Sequence, residues 1–467
     1  MEDQLSKLPD SVLIHILSFL PTFDAVYRAG LVSKRLRSLR HSLPSLVFAN
    51  NHIPSYEGSK YIHEKLSRYI NDLLIFQGRH NNLRKCCFHL PYNCPRDYEI
   101  DAWIKLALNR KVKELELFIP DNRYCLPRFL FRNEILTSLS VTYAGFTVIK
   151  EMNINWKSLK SLSMKHIKNL DDDMLGKILI GCPILELLEL NSCTGIKKLD
   201  VVSQSLKELV LHECTYVFGR NQHGEILRVS APSLQVLVIS GSNRYDKCIL
   251  ENFSSLVEAT LELSNESFQL NFRDEEVVVE EEDEVVEEEE YEEDEEEYEE
   301  DEEEEDYYDH PSYEKEKGGG GDNYGAIDFF GSVQQVKKLT LIGNWNIYMN
   351  SKSCNIDYQE KNFWMSNPNY VTLNCLLEHI KVVKIIGLQP RKGGELMVEF
   401  LQFILKHARV LERLFVDIIN VKDDMEDAGK CIFELSVFHM LLSFPRSSES
   451  AVIVVNCSKC NNRKGSS

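Results

Sequence analysis

Two cysteines near the end of the chain have a spacing that could support chemistry. Cys457 and Cys460 form a C-x-x-C arrangement, which occurs in zinc half-sites and in redox pairs. A zinc site needs a second pair of ligands, and no such pair follows. A redox pair belongs after a strand and at the start of a helix, whereas these cysteines precede the polar run NNRKGSS. We therefore predict no metal or redox role for them.

The histidines do not form a reactive set either. His166, His212 and His379 lie far apart, without metal-ligand spacing and without a nucleophile motif beside them. We assign no catalytic residue, and we predict a protein that is not an enzyme and uses no cofactor.

Charge is distributed very unevenly along the 467 residues. The formal net charge is −20, but residues 274–317 alone hold 29 Asp and Glu against two Lys. The rest of the chain holds the other 51 of 53 basic and 44 of 73 acidic side chains, a net of +7, and shows no basic stripe for nucleic acid. Because dense like charges repel and supply no core, we predict that the acidic run is disordered.

The N-terminal sequence MEDQLSKLPD lacks the basic start and continuous apolar stretch of a secretory signal. No run approaches the ~18 apolar residues of a membrane-spanning helix, so no membrane association is expected. The 13 cysteines are then expected to be free thiols in a reducing cytoplasm and/or nucleus.

Three short helices are predicted between Pro9 and Phe48. Asp10 and Ser11 can begin the first helix, Thr22 can cap the second, and Ser33 can cap the third. The first helix has one apolar face at i, i+3, i+4 and i+7, made of Leu13, Ile16, Leu17 and Leu20. About forty residues make a very small core, so this unit is expected to expose apolar surface to a partner.

A repeat of the form apolar-x-x-apolar-x-apolar follows. Its first positions advance by 24, 23, 26, 21, 28 and 22 residues, which is the spacing of leucine-rich repeats. Each copy predicts one short strand and a return segment. The copies are Val112-Leu115-Leu117, Leu136-Leu139-Val141, Leu159-Leu162-Met164, Leu185-Leu188-Leu190, Leu206-Leu209-Leu211, Leu234-Leu237-Ile239 and the weaker Leu256-Ala259-Leu261, and the pattern resumes at Val336-Leu339-Leu341.

One return segment is predicted to be a helix, because acidic residues at 171–173 precede an apolar face and Gly181 and Pro183 follow it. Cys193 and Cys214 both stand three residues after the last strand leucine, where this repeat type has Asn or Cys, and we expect them to serve in packing. From residue 370 the pattern predicts strand, helix, strand, helix, strand, ending with AVIVV at 451–455.

The run LPDSVLIHILSFLPTFDAVYRAGLVSKRLRSLRHSLPSL at 8–46 resembles the F-box of plant F-box proteins with leucine-rich repeats. GCPILELLEL (181–190) and APSLQVLVIS (231–240) are similar to the repeats of that family. CLLEHIKVVKIIGLQ (375–389), FLQFILKHARVLERLFV (400–416) and SFPRSSESAVIVV (443–455) resemble its FBD domain. One departure is that Leu36 and Arg40 stand where family members usually have Trp.

The resemblance implies an α/β fold: a small all-α N-terminal F-box, then a leucine-rich-repeat α/β solenoid with a C-terminal FBD-like cap. The expected division is 1–48 for the F-box, 49–110 for a helical linker leading into the solenoid, 111–273 for the repeats, 274–321 for the acidic disordered insertion, 322–369 for a continuing repeat, 370–457 for the FBD-like domain and 458–467 for a tail. The F-box and the repeats are expected to have separate cores.

The resemblance also implies a function as the substrate-recognition subunit of a Skp–cullin–F-box ubiquitin ligase. The F-box would bind the Skp-type adaptor, and through it the cullin, while the repeats would bind an unknown protein substrate. Six residues are implied at or behind the adaptor surface: Leu8, Pro9, Leu13, Ile16, Leu17 and Leu20. Two alternatives remain open, a protein-interaction scaffold outside any ligase and a binder of basic proteins through the acidic run.

Overall fold

The computed structural model describes residues 7–20, 22, 24–39, 42–49, 62–76, 83–91, 96–121, 123–146, 153–201, 203–214, 226–241, 247–262, 335–347, 376–390, 395–418 and 427–457. Within these ranges the fold is a mixed α/β solenoid built on a parallel sheet. The predicted acidic insertion and Cys460 lie outside the described residues, so the disorder of that insertion stays a prediction.

The N-terminal unit is helical, as predicted. It comprises α1 (Asp10–Ser18), a π-helical segment (Asp24–Arg28), α2 (Ala29–Val32) and α3 (Lys34–Leu39). The Ser33 hydroxyl accepts a hydrogen bond from the backbone N–H of Arg35 at 3.1 Å, which confirms its predicted capping of the third helix. The Thr22 hydroxyl accepts a hydrogen bond from the backbone N–H of Val47 at 2.7 Å, and therefore ties this unit to the first strand.

The strands are short and follow one another in a regular series. They are β1 (Ser45–Ala49), β2 (Lys85–His89), β3 (Glu114–Phe118), β4 (Ser138–Thr142), β5 (Ser161–Lys165), β6 (Leu187–Asn191), β7 (Lys198–Asp200), β8 (Glu208–His212), β9 (Ile226–Ser230), β10 (Val236–Ser240), β11 (Lys247–Glu251), β12 (Glu258–Glu262), β13 (Lys338–Ile347), β14 (Val382–Pro390), β15 (Arg413–Ile418) and β16 (Val452–Cys457).

Thirteen of these strands form one parallel sheet in the order β1-β2-β3-β4-β5-β6-β8-β10-β12-β13-β14-β15-β16. The second and third apolar positions of each predicted repeat point inward, and Leu188 and Leu190 of β6, for example, are completely buried. The alternate side chains point outward and are partly exposed, which is the period-two pattern of a strand with one buried face. The repeat prediction is therefore confirmed.

Return segments connect the strands and cover the core. The helical ones are α4 (Ile62–Phe76), α5 (Asp97–Asn109), α6 (Asp172–Gly181), α7 (Glu395–His407) and α8 (Asp427–Ser443). In α6 the Asp171 carboxylate accepts a hydrogen bond from the backbone N–H of Met174 at 2.8 Å, which confirms the predicted start of this helix. Between β6 and β12 the return segments contain β7, β9 and β11, which pair as a second parallel sheet in the order β11-β9-β7.

The sheet extends further toward the N-terminus than the repeat pattern indicated. β1 and β2 precede the first predicted repeat, and β1 pairs in register with β2. One continuous hydrophobic core runs from Leu13 in the N-terminal unit to Ala451 before the last strand. The prediction of separate cores for the F-box and the repeats was therefore wrong. The physical reason for the shared core is that the few residues of the helical unit cannot enclose a core alone. The apolar side chains of β1 supply the surface that the helices need.

The segment that contains the acidic run connects two adjacent strands. β12 pairs directly with β13, with Glu258 opposite Lys338, although 75 residues separate the two strands in the sequence. In the ranges that the structure describes, no helix is long and apolar enough to cross a membrane.

Candidate protein-binding surfaces

The predicted apolar face of α1 divides between the core and the surface. Leu13 and Leu17 are buried, with 2% and 3% of their surface exposed, whereas Ile16 and Leu20 are exposed. The buried pair lies toward one side of the helix, and the exposed apolar side is rotated to include Val12. Leu13 and Leu17 can therefore support a docking surface from behind, while Ile16 and Leu20 can contribute to it directly.

Three large apolar side chains that the sequence analysis did not assign are far more exposed. Phe19 is 75% exposed, Leu31 is 80% exposed and Val32 is 76% exposed. The small size of this unit predicted that apolar surface would be exposed, but it did not indicate which side chains would be exposed. We call the whole set the N-terminal apolar surface: Val12, Ile16, Phe19, Leu20, Leu31 and Val32.

Arg35 of α3 fixes the start of α1. Its guanidinium donates to the Asp10 carboxylate, with an Nε to Oδ1 distance of 2.8 Å, and to the backbone carbonyl of Leu8 at 2.7 Å. Leu8 is partly buried against the core, and Pro9 is exposed where the helix begins. Residues 8–10 and Arg35, which lie 25 or more positions apart in the sequence, thus meet in one contact.

The outward side chains of the 13-stranded sheet form a second surface, which we call the strand face. Near the first strands of this face, Glu116 of β3 lies beside β2. His89 Nε2 donates to Glu116 Oε1 at 2.9 Å, and the Cys87 thiol donates to Oε2 at 3.3 Å. Lys85 Nζ lies 3.5 Å from the same carboxylate. The hydrogen bond from His89, followed by that from Cys87, lowers the pKa of Glu116 to about 2, so this side chain is charged at neutral pH.

Cysteine reactivity at these positions is suppressed by burial. Burial, with the nearby charge of Glu116, raises the pKa of Cys87 to about 12. The buried Cys193 and Cys214 donate to the carbonyls of Met164 and Leu190 at 3.3 and 3.4 Å, and burial raises the pKa of Cys214 to about 11. These thiols therefore stay protonated at neutral pH, which confirms the packing role predicted for Cys193 and Cys214.

Four rings lie in a row along the strand ends of the same face. The ring centroids of His89 and Phe118 are 6.1 Å apart, those of Phe118 and Tyr143 are 5.7 Å apart, and those of Tyr143 and His166 stack at 4.5 Å. Tyr143 and His166 have positive φ angles of 70° and 54°, in the turn that follows β4 and β5. We call His89, Phe118, Tyr143 and His166 the ring row.

The ring row is accessible, since His166 is exposed and the other three rings are partly exposed. Exposed rings can bind apolar, aromatic or cationic groups of another molecule. The accessible rings make this part of the strand face a candidate binding surface.

The other two histidines singled out in the sequence lie apart from the ring row. His212, further along the strand face, bonds through Nδ1 to the Ser240 hydroxyl at 3.0 Å, and His379 is exposed elsewhere. Among the described side chains, no group of three or more His, Cys, Asp or Glu could hold a metal ion.

The fold is an N-terminal helical unit joined to a parallel solenoid of leucine-rich repeats. Models of known protein families match both parts. The model described as "F-box-like" matches residues 5–46. The model described as "FBD-associated F-box protein At5g56370, LRR repeats" matches residues 100–253, and the model described as "FBD" matches residues 372–415.

Several curated Arabidopsis thaliana proteins are similar to this chain. It is 32% identical over 269 residues to F-box/LRR-repeat protein At3g03360, which covers 56% of this chain and 52% of that protein. It is 31% identical over 263 residues to F-box protein At5g03100, covering 56% of this chain and 77% of that one. F-box/FBD/LRR-repeat protein At2g04230 is 26% identical over 92% of both chains. The chain spans only about half the length of the first of these. It belongs to the plant F-box proteins that carry leucine-rich repeats and an FBD domain, which confirms the resemblance seen in the sequence.

Proposed function

We propose that this chain is the substrate-recognition subunit of a Skp–cullin–F-box ubiquitin ligase, in which the F-box docks to a Skp-type adaptor and the strand face binds a target protein. The observation that carries the proposal is the exposure of Phe19, Leu31 and Val32 on a unit that matches the F-box-like model. Large apolar side chains that remain exposed on so small a unit favour an interaction site. The chain itself would be non-catalytic and would bring a target to the ligase.

The residues implied by the family resemblance fit this surface in two layers. Ile16 and Leu20 lie on it, and Pro9 is exposed beside the start of α1. Leu13 and Leu17 lie behind it, so their replacement would act by disturbing α1. A sharp test therefore changes the most exposed side chains and leaves the core intact.

The test is a triple variant, Phe19→Ala, Leu31→Ala and Val32→Ala, compared with the parent in binding to purified Skp-type adaptor and in co-purification of the cullin. Fully burying one such side chain contributes roughly 1.5–3 kcal/mol, so losing three should weaken adaptor binding by at least about 100-fold. Thermal unfolding should change little, because these side chains contact little of the core.

The matched control is Ile180→Ala, since Ile180 at the end of α6 is as exposed as Leu31 but far from the F-box in sequence. This control should bind adaptor like the parent. If the triple variant is folded and binds adaptor as tightly as the parent, docking through this surface is refuted, and the chain is better described as a scaffold outside the ligase.

Target binding is proposed for the strand face around the ring row, because accessible rings beside a charged cluster offer both apolar and polar contacts. Proximity labelling in plant cells would compare the parent with a double variant that carries Leu31→Ala and Val32→Ala. Neighbours that depend on the adaptor should disappear in the double variant, whereas direct targets should remain. A second double variant, with Tyr143→Ala and Phe118→Ala, should lose the direct targets and still bind the adaptor. Retention of every target by that variant would exclude the ring row as the binding region.

A further inference from the structure

The two ends of the 13-stranded sheet differ in how they are covered. At the first strand, Leu46 and Phe48 point inward and are completely buried, and the backbone N–H of Val47 is bonded to Thr22. At the last strand, Ile453 and Val455 occupy the inward positions opposite Leu414 and Val416 of β15 but remain partly exposed. The FBD-like segment thus covers the core of the preceding repeats, while the outer side of its own last layer is uncovered among the described residues.

The helix packed on β16 also presents an apolar face. Leu435 is 57% exposed and Leu442 is 45% exposed, and together with the partly exposed Phe438 they recur at i, i+3 and i+7 along α8. The exposed His439 lies on the same face. An exposed apolar helix face and a partly exposed strand therefore both belong to the last layer of the solenoid.

β16 lacks three of the features that usually prevent edge strands from pairing. Natural edge strands are protected by Lys, by Pro or by a bulge. The strand Val452–Cys457 contains neither Lys nor Pro, and it pairs with β15 in unbroken register. In the segment 435–456 the side chains that carry a permanent charge are Arg446 and Glu449, and these two offset each other. The surface is therefore close to neutral, and an identical surface would not be repelled by it at close range.

The sequence of β16 is suited to pairing with itself. In an antiparallel pair centred on Val454, Ile453 of one copy stands opposite Val455 of the other, and both point inward. Val454 then stands opposite its own equivalent, and Val452 opposite Asn456. A two-fold axis perpendicular to the sheet keeps the inward faces on one side, so the same operation brings the two copies of α8 together.

We propose that the C-terminal end of the solenoid is a self-association surface, at which β16 pairs antiparallel with β16 of a second copy and the exposed faces of α8 pack against each other. Each copy supplies the layer that the other lacks, as terminal layers of solenoids require. This interface lies at the opposite end of the sheet from the F-box, so it does not depend on the proposed adaptor docking, and a dimer would present two adaptor-binding sites.

The first experiment measures the mass of the full chain in solution by light scattering across a dilution series. The parent should give twice the 54.0 kDa monomer mass and dissociate on dilution. Val454→Lys places two like charges opposite each other at the axis and should give a monomer with unchanged helix and strand content. Val238→Lys is the matched control, since Val238 is an outward, partly exposed valine in the middle of the sheet, and it should remain dimeric.

A cross-linking experiment tests the register. In a chain with Cys457→Ser and Cys460→Ser, Val454→Cys should form a disulfide between copies, because residues opposite each other in an antiparallel pair have Cα atoms about 4.5–5.5 Å apart. The Val452→Cys variant has the same remaining cysteines, but its residue 452 faces Asn456 of the other copy. It should therefore cross-link far less.

A parent that is monomeric at every concentration overturns self-association and leaves the edge to a strand of another protein. A dimer that survives Val454→Lys, or equal cross-linking of the two cysteine variants, overturns the proposed pairing as well.

Discussion

At the scale of single residues, the carboxylate of Glu116 offers a direct test of the charged cluster. Its folded-state pKa of about 2 is below the ordinary value of 4.5, so its charge stabilises the fold above about pH 4.5, and this contribution is lost as the pH falls toward 2. We expect Glu116→Gln to lower the melting temperature near neutral pH and to match the parent near pH 2. The side chain is partly exposed, so the effect should be modest.

Melting curves recorded from neutral to acidic pH measure this difference. Glu114→Gln removes an equal charge from the same strand and corrects for the change in net charge. A difference between Glu116→Gln and the parent that is the same at every pH would show that the contacts with His89 and Cys87 do not stabilise the charged form.

Residue-level features were only partly predictable from the sequence. The spacing of Leu13 and Leu17 identified the buried side of α1, since helical periodicity reports burial directly. Leu31 and Val32 carry no such signal, because an exposed apolar residue looks the same in sequence as a buried one. The contact of Arg35 with Asp10 joins residues 25 positions apart, and no local pattern indicates it.

At the scale of elements, two glycines of α6 should respond in opposite ways to alanine. A Cβ atom at Gly181 would lie 2.5 Å from Cβ of the buried Ile154 and 2.8 Å from its carbonyl oxygen, so Gly181→Ala should destabilise the fold by about 1–3 kcal/mol. Gly176 has open space around it, and Gly176→Ala should stabilise the helix by about 0.5–1 kcal/mol. Denaturant unfolding measures both. Equal effects of the two changes would show that α6 does not pack closely on the segment around Ile154.

The strands themselves should depend on their inward leucines. Leu209 of β8 is completely buried between Leu188 and Leu237 of the neighbouring strands. Leu209→Ala should cost about 2–5 kcal/mol of unfolding free energy, from lost burial and from the cavity that remains. Val210 is the next residue, points outward and is partly exposed, so Val210→Ala should cost much less. Similar losses in the two variants would contradict the assignment of inward and outward positions.

The element pattern was predictable where apolar residues recur at regular steps, as in β3 to β6. It was missed in β1 and β2, although Leu43-Leu46-Phe48 and Leu83-Cys86-Phe88 carry the same spacing. Cysteine and phenylalanine in place of leucine, and a step of 40 residues between these two copies, concealed the series. The second sheet was also missed, because strands as short and polar as Lys198–Asp200 give no clear periodicity.

At the scale of the whole molecule, the F-box is part of the solenoid. Because Leu46 and Phe48 of β1 are completely buried in a core shared with α1, the helical unit covers the first layer of the sheet. The proposed docking unit therefore has a fixed orientation relative to the strand face. A target held on the strand face would therefore be held in a fixed position relative to the adaptor.

The last prediction follows from that shared core. Removing residues 1–43 should uncover Leu46 and Phe48, and each side chain of this size contributes roughly 1.5–3 kcal/mol when buried, so the remaining repeats should lose several kcal/mol of stability. Thr22→Val, which leaves the N–H of Val47 without its hydrogen bond, should cost about 1–3 kcal/mol in the full chain. Thermal unfolding of both, beside a chain lacking the acidic residues 274–321, measures the effect. The acidic deletion should leave the melting temperature unchanged. If the chain without residues 1–43 also melts at the parent temperature, the F-box and the solenoid fold independently. The proposal of a fixed position of the target relative to the adaptor would then be refuted.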